Sequence, residues 1–362
     1  MVVCLEHAGA ARPWGLVGLN FIFLFIGLAA VYFVARHHFR LSENWAAATV
    51  LFASSSFALI KHFTLPLTDI PFFGISMVAV ALLTRAETER GTRYYIFWSG
   101  ALVLSIAAGL VRTLAIALIP CLLWSLGAHT SFGGVLRRNK RLLIGCSAGI
   151  AAMVGMISVL LLRTLYVQEA LSVLARNGLG RGLINILLFR VHEIGELALN
   201  APASKLGALA PLVWLSGTIA IAGLAACVRR WRLGSAEVYL MAYASIMILW
   251  PYVDTRFWIP VLPLAIAELV SWLEPWTLIG WRRRLCVMYS VFYLLMGIAA
   301  LSYSTWITFS GRQFPYRYGD DRLRPTYELF YYGRSVNRAG VNGPALEVLE
   351  RYSRTSIVRT RE

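Results

Sequence analysis

Long apolar runs alternate with short polar gaps along nearly the whole chain. The runs fall at roughly 14–35, 44–61, 67–84, 94–111, 113–127, 142–163, 207–228, 236–252, 257–274 and 285–307. About 20 apolar residues cross the hydrocarbon of a bilayer. A spanning segment must also satisfy its backbone polar groups internally, which makes each run a helix. The pattern predicts about ten transmembrane helices. The fifth run is short, so the pair flanking Arg112 can also be read as one long helix. The alternation of charge between successive gaps favours two.

Two intervening segments are too long to be turns. In 164–206, the stretch Leu183–Leu199 sets Leu183, Ile184, Leu187, Leu188, Val191, Ile194 and Ala198 at helical spacing. His192, Glu193 and Glu196 fall opposite, with Arg190 at the boundary. This predicts an amphipathic helix lying in the interface plane. The second segment, 310–362, is rich in Tyr, Arg, Gly and Pro. It is polar enough to leave the membrane and too short for a substantial core of its own. The expected fold is all-α: a polytopic membrane helical bundle over 1–309, with an external amphipathic helix and a short external C-terminal tail. No internal repeat is visible, which weighs against an inverted-repeat transporter.

Charge supplies direction. The short gaps after alternate runs hold fifteen basic residues: Arg36 and Arg40; Arg85, Arg90 and Arg93; Arg137, Arg138, Lys140 and Arg141; Arg229, Arg230 and Arg232; Arg282, Arg283 and Arg284. The gaps on the other side hold four: Arg12, Lys61, Arg112 and Arg256. Basic residues in short loops stay cytoplasmic, so the poorly charged side is external. It is the side on which to look for chemistry. A net charge of +16 would point to nucleic acid in a soluble protein. A chain only 14% charged and 58% hydrophobic instead implies loops resting on anionic lipid, with no nucleic-acid partner. The five cysteines lie in or beside apolar runs without pairing or metal-ligand spacing and read as small hydrophobes. The start, Met1 to Pro13, is not apolar, so no cleavable signal peptide is predicted.

Three external hairpins carry candidate chemistry. Lys61-His62-Phe63-Thr64-Leu65-Pro66-Leu67-Thr68-Asp69-Ile70-Pro71 ends in an acid at the mouth of a span. Asp69 reads equally as a helix cap and as an active-site acid. Arg112, in Gly109-Leu110-Val111-Arg112, is either a snorkelling interfacial cation or one held for a partner such as a lipid-linked phosphate. Asp254-Thr255-Arg256 sits among aromatics and prolines, either as a local ion pair in an aromatic belt or as a rigid turn aiming Arg256 at an anionic headgroup. His192-Glu193-Ile194-Gly195-Glu196 lacks the second histidine of a zincin motif, so no metal site is expected there. Glu268 lies inside a span, in its cytoplasmic half, where a packing role is expected.

These hairpins resemble segments of the GT-C superfamily of polyprenyl-phosphate-sugar-dependent glycosyltransferases, which includes protein O-mannosyltransferases, aminoarabinose transferases and lipopolysaccharide sugar transferases. Leu65-Pro66-Leu67-Thr68-Asp69-Ile70-Pro71 is similar to the family segment where an acid opens a helix. Gly109-Leu110-Val111-Arg112 is similar to its external arginine corner. Asp254-Thr255-Arg256-Phe257-Trp258-Ile259-Pro260-Val261-Leu262-Pro263 resembles its late R-[YF]-x-x-P-x-x-P segment, and Trp14 onward resembles its second helix. The family begins with a further helix and a long external loop bearing a catalytic acid. Glu6 is the only acid before Trp14, so the expectation is a true start upstream or a form lacking the main catalytic acid.

The resemblance implies transfer of a hexose or pentose from a polyprenyl-phosphate carrier to a lipid, glycan or protein acceptor. It places the active face outside a membrane, here the bacterial inner membrane and its periplasmic side. It implies Asp69 as the family's second catalytic acid, which either orients the acceptor or helps the principal base, a residue not identified in this sequence. Arg112 and Arg256 would bind the leaving phosphate, and Lys61, His62 and Asp254 would stand among the substrate contacts. No metal and no cofactor beyond the lipid-linked donor is expected. The rival readings are a lipid-linked-sugar flippase and a catalytically inactive, truncated family member.

Overall fold

A computed structural model describes residues 13–63, 68–129, 179–227, 233–250, 254–275 and 280–309. The chain divides into two units, Met1–Ala300 and Leu301–Glu362. Of the second, only the end of the last helix is described; the bundle belongs to the first. The predicted span at 142–163 and the tail 310–362 lie outside the described residues.

Among the described residues the fold is entirely helical. In chain order the helices are α1 (Pro13–His37), α2 (Glu43–Ser54), α3 (Phe57–Phe63), α4 (Asp69–Ala86), α5 (Thr92–Val111), α6 (Leu118–His129), α7 (Leu179–Leu199), α8 (Leu212–Cys227), α9 (Ser235–Leu249), α10 (Leu262–Leu273) and α11 (Gly280–Phe309). Tight 3-10 turns at Thr113–Ala117 and Thr255–Trp258 lead into α6 and towards α10. Within this set, Val17–His37, Asp69–Ala86, Thr92–Val111 and Gly280–Trp306 are long and apolar enough to cross a membrane; α2 and α3, bent by 59°, would make a fifth crossing if taken as one span. Thr113–His129, α8, α9 and α10 are shorter apolar helices, and α7 belongs to neither group. Ile96, Val103, Ile106 and Leu110 of α5 and Leu285, Met288 and Leu295 of α11 are exposed. Apolar side chains outward on long helices are what lipid, not water, accommodates, so the chain is membrane-embedded.

α4 is the centre of the bundle. It runs against α1 and α5, and its Phe72, Phe73, Met77, Val80 and Leu83 are fully buried. α1 and α4 approach closely because small residues face each backbone: a Cβ on Gly74 would stand 2.5 Å from the Phe23 carbonyl oxygen, and one on Gly27 would meet the Phe73 ring. This is the small-residue contact typical of helices in lipid. The chain doubles back at Arg112, where the backbone is extended (φ −151°, ψ 139°). Trp98 Nε1 then donates to the Leu122 carbonyl at 3.2 Å, and the Tyr94 ring stacks on His129 at 3.8 Å. α5 and α6 are therefore two antiparallel helices, as the charge alternation predicted.

The break between α2 and α3 is held by a residue distant in sequence. Opening a new helix at Phe57 leaves its backbone N–H without a helical acceptor. Asn200 Oδ1 accepts that N–H at 2.6 Å, while Asn200 Nδ2 donates to the carbonyls of Ser55 and Tyr293, each at 2.9 Å. Asn200 stands at the end of α7 with φ +54°, a left-handed conformation that asparagine tolerates better than most residues.

α7 appears where the periodicity placed a helix, but its buried stripe differs from the predicted apolar one. Ile186, Arg190, Glu193 and Leu197 are buried, whereas Ile184, Leu187 and Leu188 are exposed. The helix is packed against α8. Gly195 faces the Val213 carbonyl and Gly217 faces the Val191 carbonyl, so closely that a Cβ on either would collide with backbone. The two charges are buried where Trp250 and Trp258 supply hydrogen-bond partners.

Candidate functional site at one end of the bundle

Three separate hairpins bring their polar residues to one end of the bundle. Asp69 is the first residue of α4, with Thr68 as the cap. Its carboxylate therefore lies one position inside the helix, where the positive end of the helix dipole favours it. The side chain is turned to Arg112, whose Nη1 donates to Asp69 Oδ1. The local fold makes this possible. Arg112 N–H closes the last turn of α5 on the Ala108 carbonyl at 2.8 Å, and its extended backbone frees the side chain to reach across to α4.

The third hairpin supplies the second pair. Asp254 caps the 3-10 turn, its Oδ1 accepting the Arg256 backbone N–H at 3.0 Å. Its Oδ2 stands 3.2 Å from Arg256 Nε. The Arg256 guanidinium lies 4.9 Å from the centre of the Phe257 ring, and the Arg112 guanidinium lies 5.5 Å from the same centre. Phe257 is itself anchored, because Tyr243 Oη donates to its carbonyl at 2.6 Å. One aromatic ring thus gathers two cations from opposite parts of the sequence. The charges of Arg256 and Asp254 also act on Asp69 and on His62.

The two pairs differ in how tightly they are closed. The Asp69 side chain is 3% exposed, whereas those of Arg256 and Asp254 are 25% and 31% exposed. A partly exposed pair two residues apart contributes little, about 0–1 kcal/mol. An incoming phosphate, offering charge-assisted and bidentate hydrogen bonds, competes with it on favourable terms. Of the two paired arginines, Arg256 is the more exposed.

His62 is buried, and its Nδ1 is 2.6 Å from the Ala58 carbonyl. Since a carbonyl only accepts, Nδ1 carries the proton, and the neutral ring keeps its Nε2 lone pair. Lys61 is exposed. The structure therefore brings together Asp69, Arg112, Asp254, Arg256 and His62, with Lys61 on the rim of α3 beside them.

Two residues that sequence reasoning passed over join this end. Arg190 Nη1 donates to Glu193 Oε2 at 2.5 Å, and its Nη2 donates to the Trp250 carbonyl at 3.1 Å. Trp258 Nε1 donates to the same Glu193 oxygen at 2.8 Å. Burial pushes the Glu193 carboxyl up to about 7, against the pull of Arg190, the Trp258 N–H and the backbone N–H of Asp254. The available signal was an opposite-charge pair three residues apart in a mainly apolar helix, a spacing at which helical side chains meet.

No family model, characterised protein or solved structure matches this chain.

Proposed function

We propose that the chain is a membrane glycosyltransferase that takes a sugar from a polyprenyl-phosphate carrier and delivers it to a lipid, glycan or protein acceptor. The observation that carries this reading is the gathering of Asp69–Arg112 and Asp254–Arg256 around Phe257, at the end of the bundle whose hairpins hold few basic residues. Such a site offers cations for a departing phosphate and carboxylates for an acceptor hydroxyl, the two needs of the reaction. The acceptor oxygen bonds to the anomeric carbon, the bond from that carbon to the phosphate oxygen breaks, and the lipid phosphate leaves as an anion. The hydroxyl proton passes to a carboxylate base. Arg256 and Arg112 take the phosphate, because a guanidinium matches its oxygens with a fork of donors. Asp69 orients the acceptor, and Lys61, His62 and Asp254 complete the substrate contacts.

The same reading takes the chain as a bundle of about ten spans in a bacterial inner membrane, with this end facing the periplasm and the arginine-rich loops in the cytoplasm. Support for the sidedness comes from the start of α4, the end of α5 and the 3-10 turn at Thr255–Trp258 meeting at one end of the bundle. His38, Glu87 and Ser235 meet at the other.

The test is transfer of radiolabelled sugar from a panel of polyprenyl-phosphate hexoses and pentoses, in membranes carrying the chain, Asp69→Asn or Arg256→Ala. Transfer that both substitutions abolish supports the reading. Carrier translocation without transfer, lost in the same variants, would make the chain a flippase. A chain with neither activity would be an inactive family member.

A further inference from the structure

Glu193 and Arg190 sit on α7, outside the three hairpins, yet they hold the third one by two hydrogen bonds. Trp258 Nε1 donates to Glu193 Oε2 at 2.8 Å, and Arg190 Nη2 donates to the Trp250 carbonyl at 3.1 Å. Those contacts bracket Arg256 on both sides in sequence. α7 itself is fixed, because Gly195 and Gly217 bring it into backbone contact with α8 and Asn200 ties its end to α3 and α11. α7 thus grips the turn that carries the more exposed of the two arginines.

We propose that Arg190 and Glu193 are positioning residues: the ionised Glu193 carboxylate clamps the 254–258 turn so that Arg256 is presented to the anionic group of a lipid phosphodiester. This inference rests on the donor-site reading. The clamp depends on charge, since a neutral carboxyl loses its ion pair with Arg190 and accepts weaker hydrogen bonds. Among the described residues, Arg190 on its own helix and Asp254 on the turn act on the Glu193 carboxylate. Glu196, three residues on, is turned to the Ala203 N–H, which it accepts at 2.6 Å. α8 carries no charged residue, and the only one on α9, Glu237, is at the far end with His38. With the carboxyl raised to about 7, the clamp closes as pH rises through neutrality.

The experiment uses the full chain in detergent micelles and the methyl diester of undecaprenyl phosphate as probe, a monoanion whose charge is fixed across the range. Its equilibrium binding is followed from about pH 5.5 to about pH 8.5, bracketing the raised carboxyl. Wild type is expected to bind more tightly as pH rises, with a midpoint near that of Glu193. Glu193→Gln is expected to bind about tenfold more weakly at the alkaline end and to lose the step, because a small misplacement of a binding group is felt strongly. Trp258→Phe removes a donor that favours the carboxylate, so its midpoint is expected to move upward, a response that a merely structural role would not give. Wild-type affinity and an unchanged step in both variants, with Arg256→Ala defective, would sink the positioning role and leave the donor site standing. Arg256→Ala binding as well as wild type, or no binding by wild type, would remove the donor site and the clamp together.

Discussion

The two ends of the bundle each bury charged residues, and they do so in opposite ways. At the end opposite the candidate site, His38 Nε2 meets Glu237 Oε1 at 2.6 Å, and Glu237 Oε2 accepts the Gly234 N–H at 2.9 Å. Glu87 Oε1 accepts both the N–H and the hydroxyl of Ser235, at 2.8 and 2.7 Å. These oxygens are committed to backbone or to a neighbouring side chain, and the network joins the ends of α1 and α4 to the start of α9. At the Asp69 end, two arginines keep part of their surface open around a shared ring. Closure marks a structural tie, and partial openness marks a place where a ligand can enter and be held. The same chemistry, carboxylate against cation, serves either purpose according to how many of its hydrogen bonds are already made.

That contrast is best broken by removing one member from each end. Glu237→Ala leaves His38 buried beside a vacancy. Loss of one partner of a buried ion pair costs about 3–5 kcal/mol, so the variant should lose heat resistance in detergent by a wide margin. Arg256→Ala should do the reverse, lowering sugar transfer by about 10²–10³, as loss of one electrostatic stabiliser does, while the heat-inactivation midpoint stays near wild type. If Arg256→Ala unfolds the protein or Glu237→Ala does not, the division into tie and site is wrong.

Asn200→Ala sharpens the comparison from a third position. It removes three hydrogen bonds and leaves alanine in a left-handed conformation, a loss of about 2–4 kcal/mol, to be read from the midpoint of thermal aggregation. Lys61→Ala should do least: an exposed cation on the rim changes transfer by no more than about threefold, with its effect fading as salt is raised. A larger effect would make Lys61 a direct phosphate ligand.

The tie also has a pH signature. Burial disfavours a charged His38, but Glu237 foremost, then Glu87 and Glu268, outweigh it and raise its pKa above 6.5. A group raised in the folded state stabilises below its unfolded value, and that contribution is lost as pH rises through the folded one. Burial raises Glu87 above 4.5 in spite of its bonds to Ser235, so its ionisation also weakens the fold as pH increases. Heat resistance should therefore decline as pH rises above about 6.5, and His38→Gln should flatten the decline. Glu193 adds to the same trend between 4.5 and about 7. The clamp on Arg256 should thus close over a range in which the fold itself grows less stable.

Much of this was legible in the chain. The apolar runs placed α1, α4, α5, α8, α9 and α11 to within a few residues, because a segment in lipid has no way to hide its backbone except as a helix. The alternation of basic gaps decided that Arg112 is a corner rather than the middle of one long helix. It also grouped Asp69, Arg112 and Asp254–Arg256 on one side. The sequence did not reveal that Asp69 chooses Arg112 while Arg256 keeps to Asp254. Nor did it reveal that one phenylalanine ring gathers both cations. Pairing across helices depends on which faces meet, and hydropathy does not encode that.

α7 marks the boundary between the two kinds of information. Its existence follows from local spacing alone, although it begins at Leu179, a turn before the predicted Leu183. Its orientation does not, since spacing shows which residues share a face and not which face meets a neighbouring helix. Small residues and polar partners then decide which face turns inward. Gly195 and Gly217 let α7 and α8 touch, and Trp258 receives Glu193. The sequence by itself determined that this chain is a stack of apolar helices with few charges in alternate hairpins. Only the tertiary structure decided which charges meet, because in lipid the hydrophobic effect stops choosing and close packing and hydrogen bonds choose instead.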